Sequence, residues 1–288
     1  MTTAHRCAGG RRLAWPAALG VVCAGFSRQA KPALARYDFT APPANRWELP
    51  KALAEISGLA VDARGRVFAH ADEQAIVFQL DPATRRIVKR FAFGSPAVRG
   101  DFEAITLVGD RVVLATSDGV LYSGPEGRDG EAVPFVTLAT GVGRSCEVEG
   151  LAHDASDRSL LLACKLPRVE ALRGYLTVFR WPLDGRAPVA APRFRIPLSR
   201  VGRLLGNPGF HPSDLTRDPE TGHFLIVAAR EQAIAELTPA GDVVRAIRLR
   251  RGIHRQPEGL AVTPDGALLL ADEANSGRAT LTEYRPAP

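Results

Sequence analysis

Acidic side chains recur at regular intervals along this chain of 288 residues, and they are the groups best placed to do chemistry. The recurring unit is a polar residue, a small residue and an apolar pair, and its clearest copy lies in CEVEGLAHD, residues 146–154. The five copies begin at Ser57, Glu103, Glu149, Ser213 and Glu258. Carboxylates that converge on one point lose hydration and repel one another, which favours raised pKa values, salt bridges or a bound cation.

A hard divalent cation is the first prediction from this pattern. Ca²⁺ takes six to eight oxygen ligands from carboxylates, carbonyls and water, so we expect calcium rather than magnesium on Glu103, Glu149 and Glu258. Residues in the same column, or two positions earlier on the same strand face, would support the site. These are Glu55, Asp101, Ser57 and Ser213. The alternative is a water-filled polar channel whose acids pair with Lys165 and Arg230.

Two residues in the earlier column are candidates for catalysis. His211 or Glu147 could accept a proton from water beside a metal ion. A histidine at the start of a strand is also a common structural hydrogen-bonding residue, so both roles stay open for His211. The sequence contains no Gly-x-Ser-x-Gly, no His-Glu-x-x-His and no phosphate-binding glycine-rich loop, so it gives no support to covalent catalysis.

The cysteines Cys146 and Cys164 lie on adjacent predicted strands of one repeat. In an exported protein, an oxidising compartment would allow them to form a disulfide. The alternative is a pair of buried, unreactive thiols. Cys7 and Cys23 precede residue 35 and would leave with an export signal.

The spacing of the repeats predicts the fold. Successive copies are 46, 46, 64 and 45 residues apart, and repeats of about 40 to 50 residues built from short strands are typical of β-propeller blades. We predict an all-β fold in which residues 36–288 form one propeller domain of five four-stranded blades. The last repeat lacks an outer strand, so we expect residues 37–49 to supply it from the N-terminus and close the ring.

Residues 1–35 have the composition of an export signal. Basic residues at Arg6, Arg11 and Arg12 precede an apolar stretch over residues 13–26, and a small-x-small site follows at residues 33–35. The arginine pair is similar to that of a twin-arginine leader. We therefore expect a periplasmic or otherwise exported protein, with inner-membrane association as the alternative if the signal is not cleaved.

The net charge of +6 is concentrated in that N-terminal segment, which holds five basic residues and no acid. The remaining chain is close to neutral and shows no basic face of the kind that binds a polyanion. We expect no nucleic-acid partner, at most peripheral membrane association, and a monomer.

The recurring motifs resemble those of the SdiA-regulated family of bacterial β-propellers. The resemblance spans about residues 47–285 and is carried by EISGLA from Glu55, FEAIT from Phe102, EVEGLA from Glu147, HPSDL from His211 and QPEGLAV from Gln256. It implies a periplasmic propeller with a bound cation. More distantly, the pattern is similar to that of calcium-dependent propeller lactonases and phytase-like proteins.

Two hypotheses for function follow. The first is an exported, cation-containing binding or scaffold propeller of the cell envelope, whose channel mouth recognises a small molecule or an envelope protein. The alternative is a metal-dependent, calcium-type hydrolase of an ester, lactone or phosphoester, in which the cation polarises the substrate. The fold alone does not choose between them.

Overall fold

Five β-sheets form the framework of the described chain. The computed structural model describes residues 31–184, 189–275 and 277–287. Its strands are β1 (Asn45–Glu48), β2 (Ile56–Val61), β3 (Val67–Ala71), β4 (Ile76–Asp81), β5 (Arg86–Phe93), β6 (Phe102–Val108), β7 (Arg111–Thr116), β8 (Val120–Pro125), β9 (Ala132–Val133), β10 (Val136–Ala139), β11 (Cys146–Asp154), β12 (Ser159–Pro167), β13 (Tyr175–Pro182), β14 (Ala191–Pro197), β15 (Asp214–Arg217), β16 (Phe224–Ala228), β17 (Ala233–Leu237), β18 (Val243–Arg248), β19 (Pro257–Val262), β20 (Leu268–Asp272) and β21 (Thr280–Tyr284). The described helices are α1 (Leu198–Leu205) and the 3₁₀ turns Ala33–Arg36, Lys51–Leu53, Val142–Arg144 and Glu170–Leu172.

The sheets are the blades of a propeller. Their innermost strands contact one another in the cyclic order β2, β6, β11, β15, β19 and back to β2, which closes a ring around a central channel. From the channel outward the blades run β2-β3-β4-β5-β9, β6-β7-β8-β10, β11-β12-β13-β14, β15-β16-β17-β18 and β19-β20-β21-β1. The predicted all-β, five-bladed propeller is confirmed.

The N-terminal segment closes the ring, as the missing outer strand predicted. β1 pairs antiparallel with β21, with Trp47 opposite Leu281. Trp47 and Leu49 are buried in the apolar layer between the fifth and first blades. The pairing covers the edge of β21, which would otherwise expose unpaired backbone groups.

Burial follows the position of a strand within its blade. The middle strand β16 is buried along its whole length, because neighbouring blades cover both of its faces, and its sequence is a continuous run of apolar residues. The outer strand β18 has the sequence VVRAIR; its two arginines are exposed and its apolar residues are only partly buried. The arginines of β18 therefore lie on an outer, solvated strand.

Two features depart from five identical four-stranded blades. The short strand β9, from the segment after β8, pairs in parallel with β5 and gives the first blade a fifth strand. The extra length of the third repeat forms the 3₁₀ turn Glu170–Leu172 and helix α1, which buries Val201 and Leu205 and ends at Gly206, where φ is 63°.

The first described residues belong to the propeller core. The compact unit begins at Lys31, and Ala33 and Leu34, which fall in the predicted cleavage site, are buried between the fourth and fifth blades. Their backbone N–H groups donate to the buried carboxylate of Glu236 at 2.6 and 2.9 Å. The rest of the predicted export signal, residues 1–30, lies outside the described residues. No helix in the described ranges combines the length and apolar character that a membrane span requires.

Candidate functional site

Three of the predicted glutamates meet at one end of the central channel. Burial raises the pKa of Glu149 to about 9, that of Glu103 to about 8 and that of Glu258 to about 7. The charge of Glu103 further raises the pKa of Glu149, and Glu258 contributes to the raised pKa of both other residues. The three side chains therefore form one electrostatic unit, which we call the carboxyl cluster.

A β-bulge positions each of these side chains. The strand register skips one residue between Phe102 and Ala104 and between Pro257 and Gly259, so Glu103 and Glu258 are the extra residues of their strands. β11 has a similar irregularity between Val148 and Leu151, at Glu149 and Gly150. An extra residue leaves the ladder and its side chain is re-aimed. The recurring unit is thus a bulge sequence at the channel end of each of these inner strands.

The second residue of the recurring unit must be small where neighbouring inner strands approach each other closely. A Cβ atom on Gly150 would lie 2.9 Å from the backbone nitrogen of Leu215, and its φ of 99° favours glycine. In the fourth blade this position is Asp214, which is fully buried and accepts backbone N–H groups of Leu215 and Leu260, each at 2.7 Å. Burial raises the pKa of Asp214 well above its ordinary value. Asp214 therefore joins two inner strands below the carboxyl cluster.

Lys165 supplies the positive charge of the cluster. Its ammonium donates to Oε1 of Glu149. Burial acts to lower the pKa of Lys165, but the interaction with Glu149 outweighs it and the pKa is raised, with smaller contributions from Glu258 and Glu103. Oε2 of Glu149 is buried and has no hydrogen-bond partner in the described structure. Glu149 therefore has one oxygen that can bond to a ligand or hold a proton.

A disulfide joins the two strands that carry this pair. Cys146 on β11 and Cys164 on β12 are bonded, with their Cα atoms 5.7 Å apart. Cys164 directly precedes Lys165, and Cys146 lies three residues before Glu149. The cross-link thus holds the channel end of the third blade together where the Lys165–Glu149 pair forms.

The other predicted metal ligands, Asp101, Ser57 and Ser213, form hydrogen bonds within the protein. Asp101 raises the pKa of Glu103 and accepts a hydrogen bond from Ser117. Ser57 donates to the backbone of Glu55 at 3.2 Å. Ser213 is buried and donates to the carbonyl of Pro257 at 2.7 Å, so its hydroxyl proton is used within the fold.

The two catalytic candidates, His211 and Glu147, each contact a residue outside the carboxyl cluster. Nδ1 of His211 is 2.8 Å from Oε1 of Glu231, and the backbone N–H of His211 donates to the other oxygen of that carboxylate. Glu147 has Arg168 as its neighbour, at 3.9 Å. No contact described in residues 31–184 and 189–275 joins His211 or Glu147 to the carboxyl cluster. Glu231 therefore holds His211 in place through both its backbone N–H and its ring Nδ1.

A basic pocket adjoins the cluster. It has a volume of about 440 Å³ and includes Lys165 and Glu258 together with Arg230, Arg251 and Arg255. Its other lining residues are Ala229, Gln232, Gln256 and Asn275. The three arginines are exposed, and within the described ranges none of their guanidinium groups forms an ion pair. Arg251 and Arg255 follow β18, in the connection that leads back to the channel.

The donor set fits a divalent cation only in part. Within the described chain, no group of three or more His, Cys, Asp or Glu side chains is arranged to hold a metal ion. Lys165 already donates a hydrogen bond to Oε1 of Glu149, while Oε2 has no hydrogen-bond partner among the described residues. The cation on Glu103, Glu149 and Glu258 stays a prediction.

Comparison with solved structures supports the fold. The glutaminyl cyclase of Myxococcus xanthus superposes with a TM-score of 0.58 and 19% sequence identity, over 84% of this chain and 94% of that one. The PQQ-bound aldose sugar dehydrogenase of Streptomyces coelicolor superposes with a TM-score of 0.51 and 14% identity, over 85% of this chain and 99% of that one. A search of curated proteins finds no match. The family model described as SdiA-regulated matches residues 207–283, which confirms the resemblance to that family expected from the recurring motifs.

Proposed function

We propose that the channel mouth binds a small zwitterionic molecule, such as an amino acid or a short peptide. The observation that carries the proposal is the position of Lys165, which contacts the buried Glu149 and also lines the basic pocket. A ligand in this pocket would meet cationic groups on one side and the carboxyl cluster on the other.

The basic side would hold the anionic group of the ligand. Arg230, Arg251 and Arg255 have no ion-pair partner in the described chain, and guanidinium groups bind carboxylates through paired hydrogen bonds. Because these arginines are exposed while Lys165 is partly buried, Lys165 would contribute the more strongly felt charge at the inner end of the pocket.

The acidic side would hold the cationic group. Burial raises the pKa of Glu273, and so do the nearby charges of Asp72 and Glu55. Gln256 donates hydrogen bonds to both Glu273 and Glu258 and so links this acidic group to the carboxyl cluster. An ammonium group placed here would relieve the repulsion between these carboxylates.

Binding of glycylglycine tests this proposal with three matched ligands. N-acetyl-glycylglycine lacks the ammonium charge and glycylglycine amide lacks the carboxylate. We expect calorimetry to show the tightest binding for the unmodified dipeptide, at least about tenfold weaker binding to Lys165→Met, and little change in Arg245→Gln on the outer strand β18. Equal affinity for all three ligands, or no binding of any of them at millimolar concentration, would overturn the proposal.

A second candidate function is catalysis at the same mouth. It is favoured by carboxyl groups that hold protons near neutral pH beside a free oxygen of Glu149. The form expected from the sequence is a calcium-type hydrolase of an ester, lactone or phosphoester, with His211 or Glu147 as base. It predicts hydrolysis of such compounds that is lost on chelation and in Glu149→Gln.

Metal analysis of the purified protein tests the cation directly. Bound calcium that is present in the wild-type protein and absent from Glu149→Gln would establish the site, because glutamine keeps the size of the side chain and removes its charge. Equal metal content in the two proteins would exclude Glu149 as a ligand.

A further inference from the structure

The opposite end of the central channel contains a second cavity, of about 520 Å³. All five inner strands line it, with residues that follow the equivalent positions Gly58, Gly150 and Asp214. Each inner strand contributes an apolar side chain: Leu59, Ile105, Leu151, Leu215 and Ala261. We call this cavity the lower pocket. Its volume and largely apolar lining are typical of small-molecule binding sites.

Arg217 is the cationic group of the lower pocket. Its Nε lies 3.5 Å from Oδ1 of Asp154, a distance at which the charges attract but no good hydrogen bond forms. That Nε is buried and has no hydrogen-bond partner in the described structure. The Arg217 side chain as a whole is 28% exposed and lines the cavity, so its other atoms are accessible there although this Nε is covered.

The charges around Arg217 leave one positive charge in excess. Asp154 also accepts from Arg193 at 2.9 Å, and Arg193 and Arg180 both bind Asp157 at 2.8 Å. This network therefore contains three guanidinium groups and two carboxylates, and Arg217 is its member that lines the cavity.

The other ionisable groups at the lower pocket do not cancel that charge. Burial lowers the pKa of His153, so its ring is neutral at neutral pH. Asp62 bonds to the guanidinium of Arg66 at 2.7 Å and to the backbone N–H groups of Arg64 and Arg66. The lower pocket thus combines a mainly apolar lining with one arginine, Arg217, whose charge network is positive overall.

We propose that the lower pocket binds a small molecule with an apolar body and one anionic head group, with Arg217 as the partner of that head group. A medium-chain carboxylate has this chemistry. Its hydrocarbon chain would contact the apolar side chains of the inner strands, and its carboxylate would pair with the accessible part of the Arg217 guanidinium. This site is separate from the one proposed at the channel mouth.

Calorimetric titration with octanoate and with octan-1-ol tests the proposal on the whole protein. Both probes have the same hydrocarbon chain, but only octanoate is charged at pH 7. We expect octanoate to bind at least about tenfold more tightly than octanol. In Arg217→Gln the affinity for octanoate should fall to that for octanol, and Arg217→Lys should retain part of the preference.

Three controls keep the result interpretable. Arg245→Gln, on the outer strand β18, removes a charge outside this network and away from the cavity, so it should leave the preference unchanged. Thermal unfolding of each variant checks that the fold is intact. Lys165→Met reports on the channel mouth: loss of octanoate binding in this variant would place the anion there and overturn the proposal, as would equal affinity for octanoate and octanol or a preference that survives in Arg217→Gln.

Discussion

Lys165 donates a hydrogen bond from its ammonium group to Oε1 of Glu149 on the neighbouring strand, directly after the disulfide-bonded Cys164. The charge of Lys165 lowers the pKa of Glu103, Glu149 and Glu258 alike, against the effect of their burial. One lysine therefore partly offsets the effect of burial on three carboxyl groups contributed by three different blades.

The carboxyl cluster should make the protein less stable as the pH rises. The folded-state pKa of Glu149, about 9, exceeds the ordinary 4.5, so between these values the folded chain holds a proton that the unfolded chain releases. Stability should fall by up to about 1.4 kcal/mol per pH unit for each such carboxyl group. Urea unfolding between pH 6 and pH 9.5 should show this decline, and Glu149→Gln should make it shallower; parallel curves for the two proteins would contradict the prediction.

Replacement of Lys165 by methionine should steepen that decline. Without the ammonium group the carboxyl pKa values rise further, so the variant should resemble the wild type near pH 6 and be less stable than it by about 1.4 kcal/mol or more at pH 9.5. Lys89→Met is the matched control, because Lys89 pairs with Glu126, whose pKa is lowered and which is ionised across this range. The same pH dependence in both variants would argue against the role of Lys165.

His70 should limit stability on the acidic side. It is fully buried, and burial lowers its pKa from 6.5 to about 4. The unfolded chain therefore binds a proton that the folded chain does not, and about 3 kcal/mol of stability should be lost as the pH falls from 6.5 to 4. In His70→Gln this contribution should be absent from unfolding curves between pH 6.5 and 4.5. An NMR titration that places the His70 pKa near 6.5 would refute the prediction.

Reduction of the disulfide should destabilise the protein by about 3 kcal/mol, because the cross-link closes a loop with a sequence separation of 18. Denaturant unfolding with and without a reducing agent measures this change. The Cys146→Ala/Cys164→Ala variant should show the lower stability in both conditions. A reductant effect that persists in this variant would show that it has another origin.

The segment that begins the propeller should be needed for stability. Leu34 is fully buried, so Leu34→Ala should cost about 3 kcal/mol, while Lys31→Ala, at an exposed position, should be close to neutral. A chain that begins at Lys31 should unfold at a higher urea concentration than one that begins at Arg36, since only the first keeps the N–H groups that Glu236 accepts. Equal midpoints would show that this segment adds no stability.

The sequence by itself determined the architecture. Copies of one motif about 45 residues apart indicate units that cannot bury their faces alone, and a ring of five such units with an N-terminal closing strand buries all of them. It also identified Glu103, Glu149 and Glu258, because residues that begin equivalent inner strands must meet at the same end of the channel. Cys146 and Cys164 could be paired in the same way from adjacent strands.

Only the tertiary structure decided the orientation and the contacts of these side chains. The bulges that turn the glutamates, the contact of Lys165 with Glu149, and the place of Asp214 between two inner strands depend on distances between blades, which strand periodicity does not encode. His254 is an example: its buried ring lies between Asp272 and Tyr284, at 2.8 and 2.9 Å, and so is part of the core although its sequence position lies near the channel mouth. Likewise, Arg217 acquires its role only because the fold places it where five apolar strands converge, in surroundings that no local stretch of sequence specifies.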